Sequence, residues 1–224
     1  FFKVILLFFQ LISVTSCEMD HIFDTLIKIA PKIAVNSTQF RNYLSTAKPG
    51  DTIIISGKIV VDDGAIVTSR HGKADSCITI RGINNGTLEF SSNANRACLT
   101  IKHNYYRIEN VTIEANAQSK RGLLIENARH GIARHIAVKN TLNEGFKIRK
   151  NSQYWLFDSC VSELTGRAGE YGEGFYCGDA HNNWTTGNRA DQTGYITFYK
   201  CLAKPHADGF DCKEGTHHIK IINC

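Results

Sequence analysis

The chain has 224 residues, 42% of them hydrophobic, which is enough for one domain with a sizeable core. A formal charge of +5 and a pI near 8.7 suit a polyanionic partner, but the basic residues are scattered and no Lys/Arg block points to nucleic acid. Eighteen Gly against three Pro favour many short strands joined by tight turns.

Residues 1–16 hold one charge, Lys3, in a run of Val, Ile, Leu and Phe that ends in Ser13, Thr15 and Ser16. That pattern predicts a secretory signal peptide cleaved near Ser16 or Cys17, too short for a membrane span. Val14-Thr15-Ser16-Cys17 would also pass as a bacterial lipoprotein cleavage box. Sequons at Asn36, Asn85, Asn110 and Asn183 fit a secreted glycoprotein. Residues 17–36 form a lead-in without a clear assignment. Residues 37–48, with Phe40 and Leu44 on one face and Lys48-Pro49-Gly50 closing them, predict a short helix capped by Ser37 or Thr38. A helix here would hide the open edge of the first coil of a solenoid. Asp51-Thr52-Ile53-Ile54-Ile55-Ser56 follows as a buried strand.

Six later segments share one pattern: 77–80, 98–101, 122–125, 145–148, 174–177 and 209–212. Their last residues are 21, 24, 23, 29 and 35 positions apart. A second series lies between them, at 108–113, 133–138, 157–160, 198–201 and 221–224. Two β-type segments recurring every coil, with Asn and Gly at the corners, predict an all-β solenoid over residues 37–224. The inward stacks expected are Ile80, Ile101, Ile125, Ile148, Cys177 and Cys212, and Val111, Ile136, Cys160, Cys201 and Cys224. The chain opens on Phe and stops at Cys224 within a repeat segment, so it reads as part of a longer solenoid with further C-terminal coils.

Eight Cys in a secreted chain suggest disulfides, yet the repeat register places most of them in stacks. Cys77 is expected to share a position with Cys98, Cys177 with Cys212, and Cys160 with Cys201 and Cys224. Cross-coil disulfides and a ladder of buried thiols both fit.

Two insertions lengthen the turns late in the chain, at 164–172 and 178–194; the second carries His181 and Trp184. Trp184 could stack on a sugar or pin its loop to the solenoid. Strand alternation turns Lys147, Tyr176 and Asp211 outward, one per coil. Arg149, Gly178 and Lys213 form a second outward ladder, and Glu144, Glu173 and Asp208 a third. Stacked carboxylates repel one another unless solvent, a base or a cation intervenes. Glu173, Asp208 and Asp211 therefore suggest either a Ca²⁺ site or surface ion pairs with Lys213 and Arg149.

The Lys48-to-Ile53 segment after a short helix, and the stretch Asp208-Gly209-Phe210-Asp211, give the chain a resemblance to the pectate-lyase-like superfamily, closest in motif to family nine polysaccharide lyases. The resemblance implies a right-handed parallel β-helix with a short N-terminal capping helix. It implies Asp208 and Asp211 as Ca²⁺ ligands, with Glu173 on the preceding coil; Ala207 stands where the family has another Asp. The family's base lysine falls beyond Cys224, which leaves Lys147 and Lys213 as the outward lysines that could serve. Tyr176, Arg149, His181 and Trp184 are the expected substrate contacts. The implied activity is calcium-assisted β-elimination on an acidic, uronate-containing polysaccharide by a secreted monomer. A glycoside hydrolase on the same fold, or a non-catalytic glycan-binding or adhesion β-helix, are the alternatives.

Overall fold

The structure, a computed structural model, describes residues 31–92, 94–169, 171–184 and 189–224. The expected signal peptide and most of the lead-in lie outside the described residues.

The described chain opens with strand β1 (Lys32–Ala34) and helix α1 (Ser37–Ser45). Two two-strand coils follow: β2 (Thr52–Val61) with β3 (Ile66–Val67), and β4 (Ile78–Phe90) with β5 (Ala94–Ile101). In each, the long strand turns a corner and supplies two sides. Three-strand coils come next. β6 (Tyr106–Glu109), β7 (Thr112–Glu114) and β8 (Ser119–Glu126) make one, and β9 (Arg129–Arg134), β10 (Ala137–Lys139) and β11 (Phe146–Arg149) another. β12 (Gln153–Asp158), β13 (Val161–Glu163) and β14 (Phe175–Cys177) follow, then β15 (Gly194–Tyr199), β16 (Leu202–Lys204) and β17 (Phe210–Cys212); β18 (Lys220–Ile222) begins a further turn. The strands pair in parallel with the equivalent strand one coil away, giving a 12-stranded sheet folded over one corner and a six-stranded sheet, β17-β14-β11-β8-β5-β3. This is a right-handed parallel β-helix of about seven turns, with one short α-helix among the described residues.

Inward side chains stack like upon like. Leu99, Leu123, Phe146, Phe175 and Phe210 lie in register across five coils. Phe146 and Phe175 stack at 4.6 Å between ring centroids, Phe175 and Phe210 at 4.9 Å. Ile101, Ile125, Ile148, Cys177 and Cys212 form the next column, as expected. Val111, Ile136, Cys160 and Cys201 are buried in a third.

Three expectations need correction. Ile80 does not join Ile101: it pairs with Ile53 and Ile108 on the opposite sheet. Cys77, just before β4, likewise shares no position with Cys98. The two series have the same alternation, and only pairing partners separate them. The helix cap is Asn36, whose side chain accepts from the Gln39 N–H at 2.9 Å; Ser37 already lies in the first turn. Within the unassigned lead-in, β1 pairs with β2, so the ladder extends one strand before the helix. All seven described Cys are free thiols, which favours the thiol ladder over disulfides.

Candidate functional site

The outer face of the six-stranded sheet is built by β11, β14 and β17. Backbone register sets Lys147 beside Tyr176 and Tyr176 beside Asp211. Each strand is preceded by a glycine: Gly145, Gly174 and Gly209. A Cβ on Gly145 would run into the Ser162 hydroxyl, which leans in from β13 of the next coil. The residue before each glycine, Glu144, Glu173 or Asp208, is thereby held at the same corner; the backbone N–H of Gly145 donates to the Glu173 carbonyl and that of Gly174 to Asp208. Both insertions leave the stack here, one before β14 and one after it.

Alternation does turn Lys147 and Tyr176 away from the apolar core, but neither is open to solvent: they are 3% and 6% exposed. A network of ion pairs covers them. The Lys147 ammonium donates to Glu144 at 2.8 Å, lies 3.9 Å from Asp179, and sits 4.0 Å over the Tyr176 ring. Arg121 reaches Glu144 at 2.9 Å. Arg149 bridges Asp179 at 3.2 Å and Glu126 at 2.7 Å, and Glu126 also meets Lys150 at 2.9 Å and Lys102 at 3.2 Å.

Burial and charge work against each other throughout. Burial pulls the Lys147 ammonium below the usual lysine range, against the attraction of Glu144. Burial would raise Glu144, but Lys147 and Arg121 outweigh it and hold its carboxyl low. At Asp179 burial wins over Arg149 and Lys147, and the carboxyl is raised. Glu126 is also desolvated, yet Lys150, Arg149 and Lys102 bring it down to about 2. Tyr176 is pushed well up by burial, with Asp211 adding to the effect. The hydrogen bond from Lys213 to Asp211, 2.7 Å long, holds that lysine above its ordinary range.

The expected metal-binding acids belong to successive coils, Glu173 and Asp208 each preceding a glycine and Asp211 on β17. Asp211 is engaged by Lys213, Glu173 accepts the Gly172 N–H at 3.2 Å, and Asp208 is exposed. Among the described residues no three His, Cys, Asp or Glu side chains converge as a ready-made ion cage. Three carboxylates are nevertheless a donor set of the type a hard cation takes.

His181 and Trp184 flank a single 3₁₀ turn, with ring centroids 4.5 Å apart. The Trp184 indole N–H donates to the Asp179 carbonyl at 3.0 Å, so this side chain pins its loop to the strand end. A cleft of about 450 Å³ opens beside it, lined by Lys150, Asp179, Trp184, Arg189 and Asp191. Asp191 anchors the far end of the loop by accepting the N–H groups of Lys150 at 2.6 Å and Asn151 at 2.8 Å.

Sequence reasoning missed Arg121, Glu126 and Asp179. A signal existed for two of them. Arg149 pairs in register with Glu126, and Gly122 meets Gly145, so extending each outward ladder one coil toward the N-terminus reaches Glu126 and Arg121. Asp179 lies in the inserted loop, outside any repeat register.

The structure is thus a parallel β-helix with acids, bases and a tyrosine clustered on one sheet between two long loops. The chain belongs to the Pel9A-like, right-handed β-helix family, which matches residues 30–224. Among solved structures it is similar to an alginate lyase from Paenibacillus sp. str. FPU-7, with 23% identity and a TM-score of 0.77 over 86% of this chain. The match spans 65% of that enzyme's length. It is also similar to ORF18 of Geobacillus virus E2, with 13% identity and a TM-score of 0.51 over 92% of this chain and 49% of that one. At these identities both likenesses concern the fold. No curated protein matches the sequence. Among the described residues no helix is long and apolar enough to cross a membrane.

Proposed function

We propose that this chain is a secreted polysaccharide lyase that cleaves an acidic, uronate-containing glycan by β-elimination on the outer face of β11, β14 and β17. The observation that supports it most directly is the register Lys147–Tyr176–Asp211, with Lys213 beside it: two lysines of opposite protonation tendency on either side of one tyrosine.

β-Elimination needs a base for the C5 proton, a partner for the uronate carboxylate, and a proton for the departing oxygen. Lys147, whose ammonium is depressed by burial, has the larger neutral fraction and serves as base. Lys213 is held protonated by Asp211 and serves as carboxylate clamp. The Tyr176 phenol is kept protonated by burial, which leaves it able to donate a proton to the leaving oxygen. Electrons from the C5–H bond form the C4–C5 double bond, and those of the C4–O bond leave with the oxygen. Lys147 lies under the Tyr176 ring, so engaging the sugar requires that ring to swing aside. Ca²⁺ is part of this reading: Glu173, Asp208 and Asp211 would hold it, and it would neutralise the substrate carboxylate and so acidify the C5 proton.

The test is incubation with alginate and with polygalacturonate, with and without chelator, while following the ultraviolet absorbance of the unsaturated uronate. The proposal expects growth that a chelator suppresses and that Lys147→Ala abolishes. New reducing ends without absorbance would make the protein a hydrolase, and neither signal would leave a glycan-binding β-helix. Calcium titration by calorimetry checks the ion separately: binding unchanged in Asp211→Ala rejects these ligands.

A further inference from the structure

On another side of the solenoid, where five successive coils enter the 12-stranded sheet, one aromatic ring projects from each. Tyr105, His130, Tyr154, Tyr195 and His218 form a continuous column, with centroids 5.0, 4.8, 4.7 and 4.4 Å apart and ring planes within 14° of parallel. All five occupy the left-handed backbone region, with φ of 60°, 59°, 59°, 55° and 53°. That conformation is unfavourable for a bulky side chain. Elsewhere many left-handed positions hold Asn, such as Asn110, Asn127, Asn140, Asn151 and Asn223, which tolerate it well. A tight corner alone therefore does not call for an aromatic here.

Rings stacked along the helix axis turn their edges outward, and Tyr154 and Tyr195 are 45% and 40% exposed. Beside them runs a cleft of about 540 Å³. One wall is Tyr105, His130 and Tyr154; the other includes Arg107, Ile132 and Leu156, themselves in register from coil to coil. One wall thus offers phenol and imidazole edges that donate and accept hydrogen bonds, the other an aliphatic surface with a cation at its end. A pyranose has the same two characters, a polar rim and an apolar C–H face, and its length is close to the ring spacing. We propose that this cleft is a second glycan-binding site, which holds a linear polysaccharide along the helix axis, away from the lyase face. It does not depend on the lyase reading, because a non-catalytic chain could bind in the same way.

The test is affinity electrophoresis of the whole chain through gels containing alginate, polygalacturonate or neutral hydroxyethylcellulose; the three gels separate acidic from neutral recognition. The variant combines Tyr105→Phe, Tyr154→Phe and Tyr195→Phe, which removes three hydroxyls and keeps the stack. We expect wild type to be retarded by at least one polymer. The triple variant should bind roughly tenfold more weakly, or not at all, at an unchanged melting temperature, whereas Lys213→Ala, which weakens only the lyase face, should keep part of the wild-type retardation. Retardation unchanged in the triple variant, abolished by Lys213→Ala alone, or absent for wild type in all three gels overturns the site. Retardation without unsaturated product would reject the lyase reading and leave this one standing.

Discussion

Glu126 gathers Arg149, Lys150 and Lys102 on one carboxylate, and its acidity follows from that crowding. Its folded pKa of about 2 lies below the ordinary glutamate value of 4.5. The folded state therefore holds its proton less tightly than the unfolded state. The stabilisation is fully present above pH 4.5 and is lost as pH falls toward 2. Denaturation midpoints measured from neutral pH down to this window should fall more steeply for wild type than for Glu126→Gln. At neutral pH the variant should itself lose about 1–3 kcal/mol, because a hydrogen-bonded charge disappears. Lys147 invites the opposite comparison. Its pairing with Glu144 is almost fully buried, so Lys147→Met leaves that carboxylate with Arg121 alone. A cost of about 3–5 kcal/mol is expected from removing one partner of a buried pair, read as a loss in the urea midpoint. Loss of activity in such a variant speaks to catalysis only when folding is checked alongside.

At the scale of the strand, the glycines of the repeat mark places where one coil and the next come too close for a side chain. Gly122 faces Val138 and Gly145 faces Ser162, whereas the nearest atom to a Cβ on Gly209 is the Ala203 Cβ at 3.5 Å. Gly145→Ala should therefore destabilise by about 1–3 kcal/mol through overpacking. Gly209→Ala, in ordinary contact with its neighbour, should be close to neutral. Thermal melts of the two variants side by side test this. Identical behaviour would mean that the glycines are kept for backbone freedom instead. The helix makes a smaller claim. Its apolar side, Phe40 and Leu44, is buried, and its first turn hangs on Asn36. Asn36→Ala should cost about 1 kcal/mol.

Across the whole molecule, each coil is supported by its neighbours, so a fault in the middle of an inward column has nowhere to relax. Ile125 lies between Ile101 and Ile148 and has no exposed surface. Ile125→Asp should prevent folding, seen as loss of the β-type circular dichroism spectrum, because a buried charge without a partner is strongly unfavourable. The same packing governs the thiols. Burial pushes Cys98 up to about 12, and the hydrogen bond with Cys212, with burial adding to it, raises Cys177; neither side chain has exposed surface. A thiol reagent should therefore reach Cys98 and Cys177 only after denaturation.

Strand alternation, the spacing of the coils, and the Lys147–Tyr176–Asp211 ladder were all legible in the sequence. They depend on properties local to a few residues: which side chains are apolar, and how far each lies from a glycine. Once the coils stack, equal offsets become contacts. Other features were not legible because they depend on where a chain segment returns after a turn. Ile80 matches either series by alternation, and only its pairing with Ile53 and Ile108 places it. Asp179 reaches Arg149 because a loop of irregular length brings it back over the sheet, and no offset from a repeat foretells that. The sequence by itself determined the architecture and which residues share a column, since periodic burial is written into each segment. Tertiary structure alone decided that Lys147 is buried and that its neighbours are paired charges. Burial and ion pairing are sums over several coils and two loops at once.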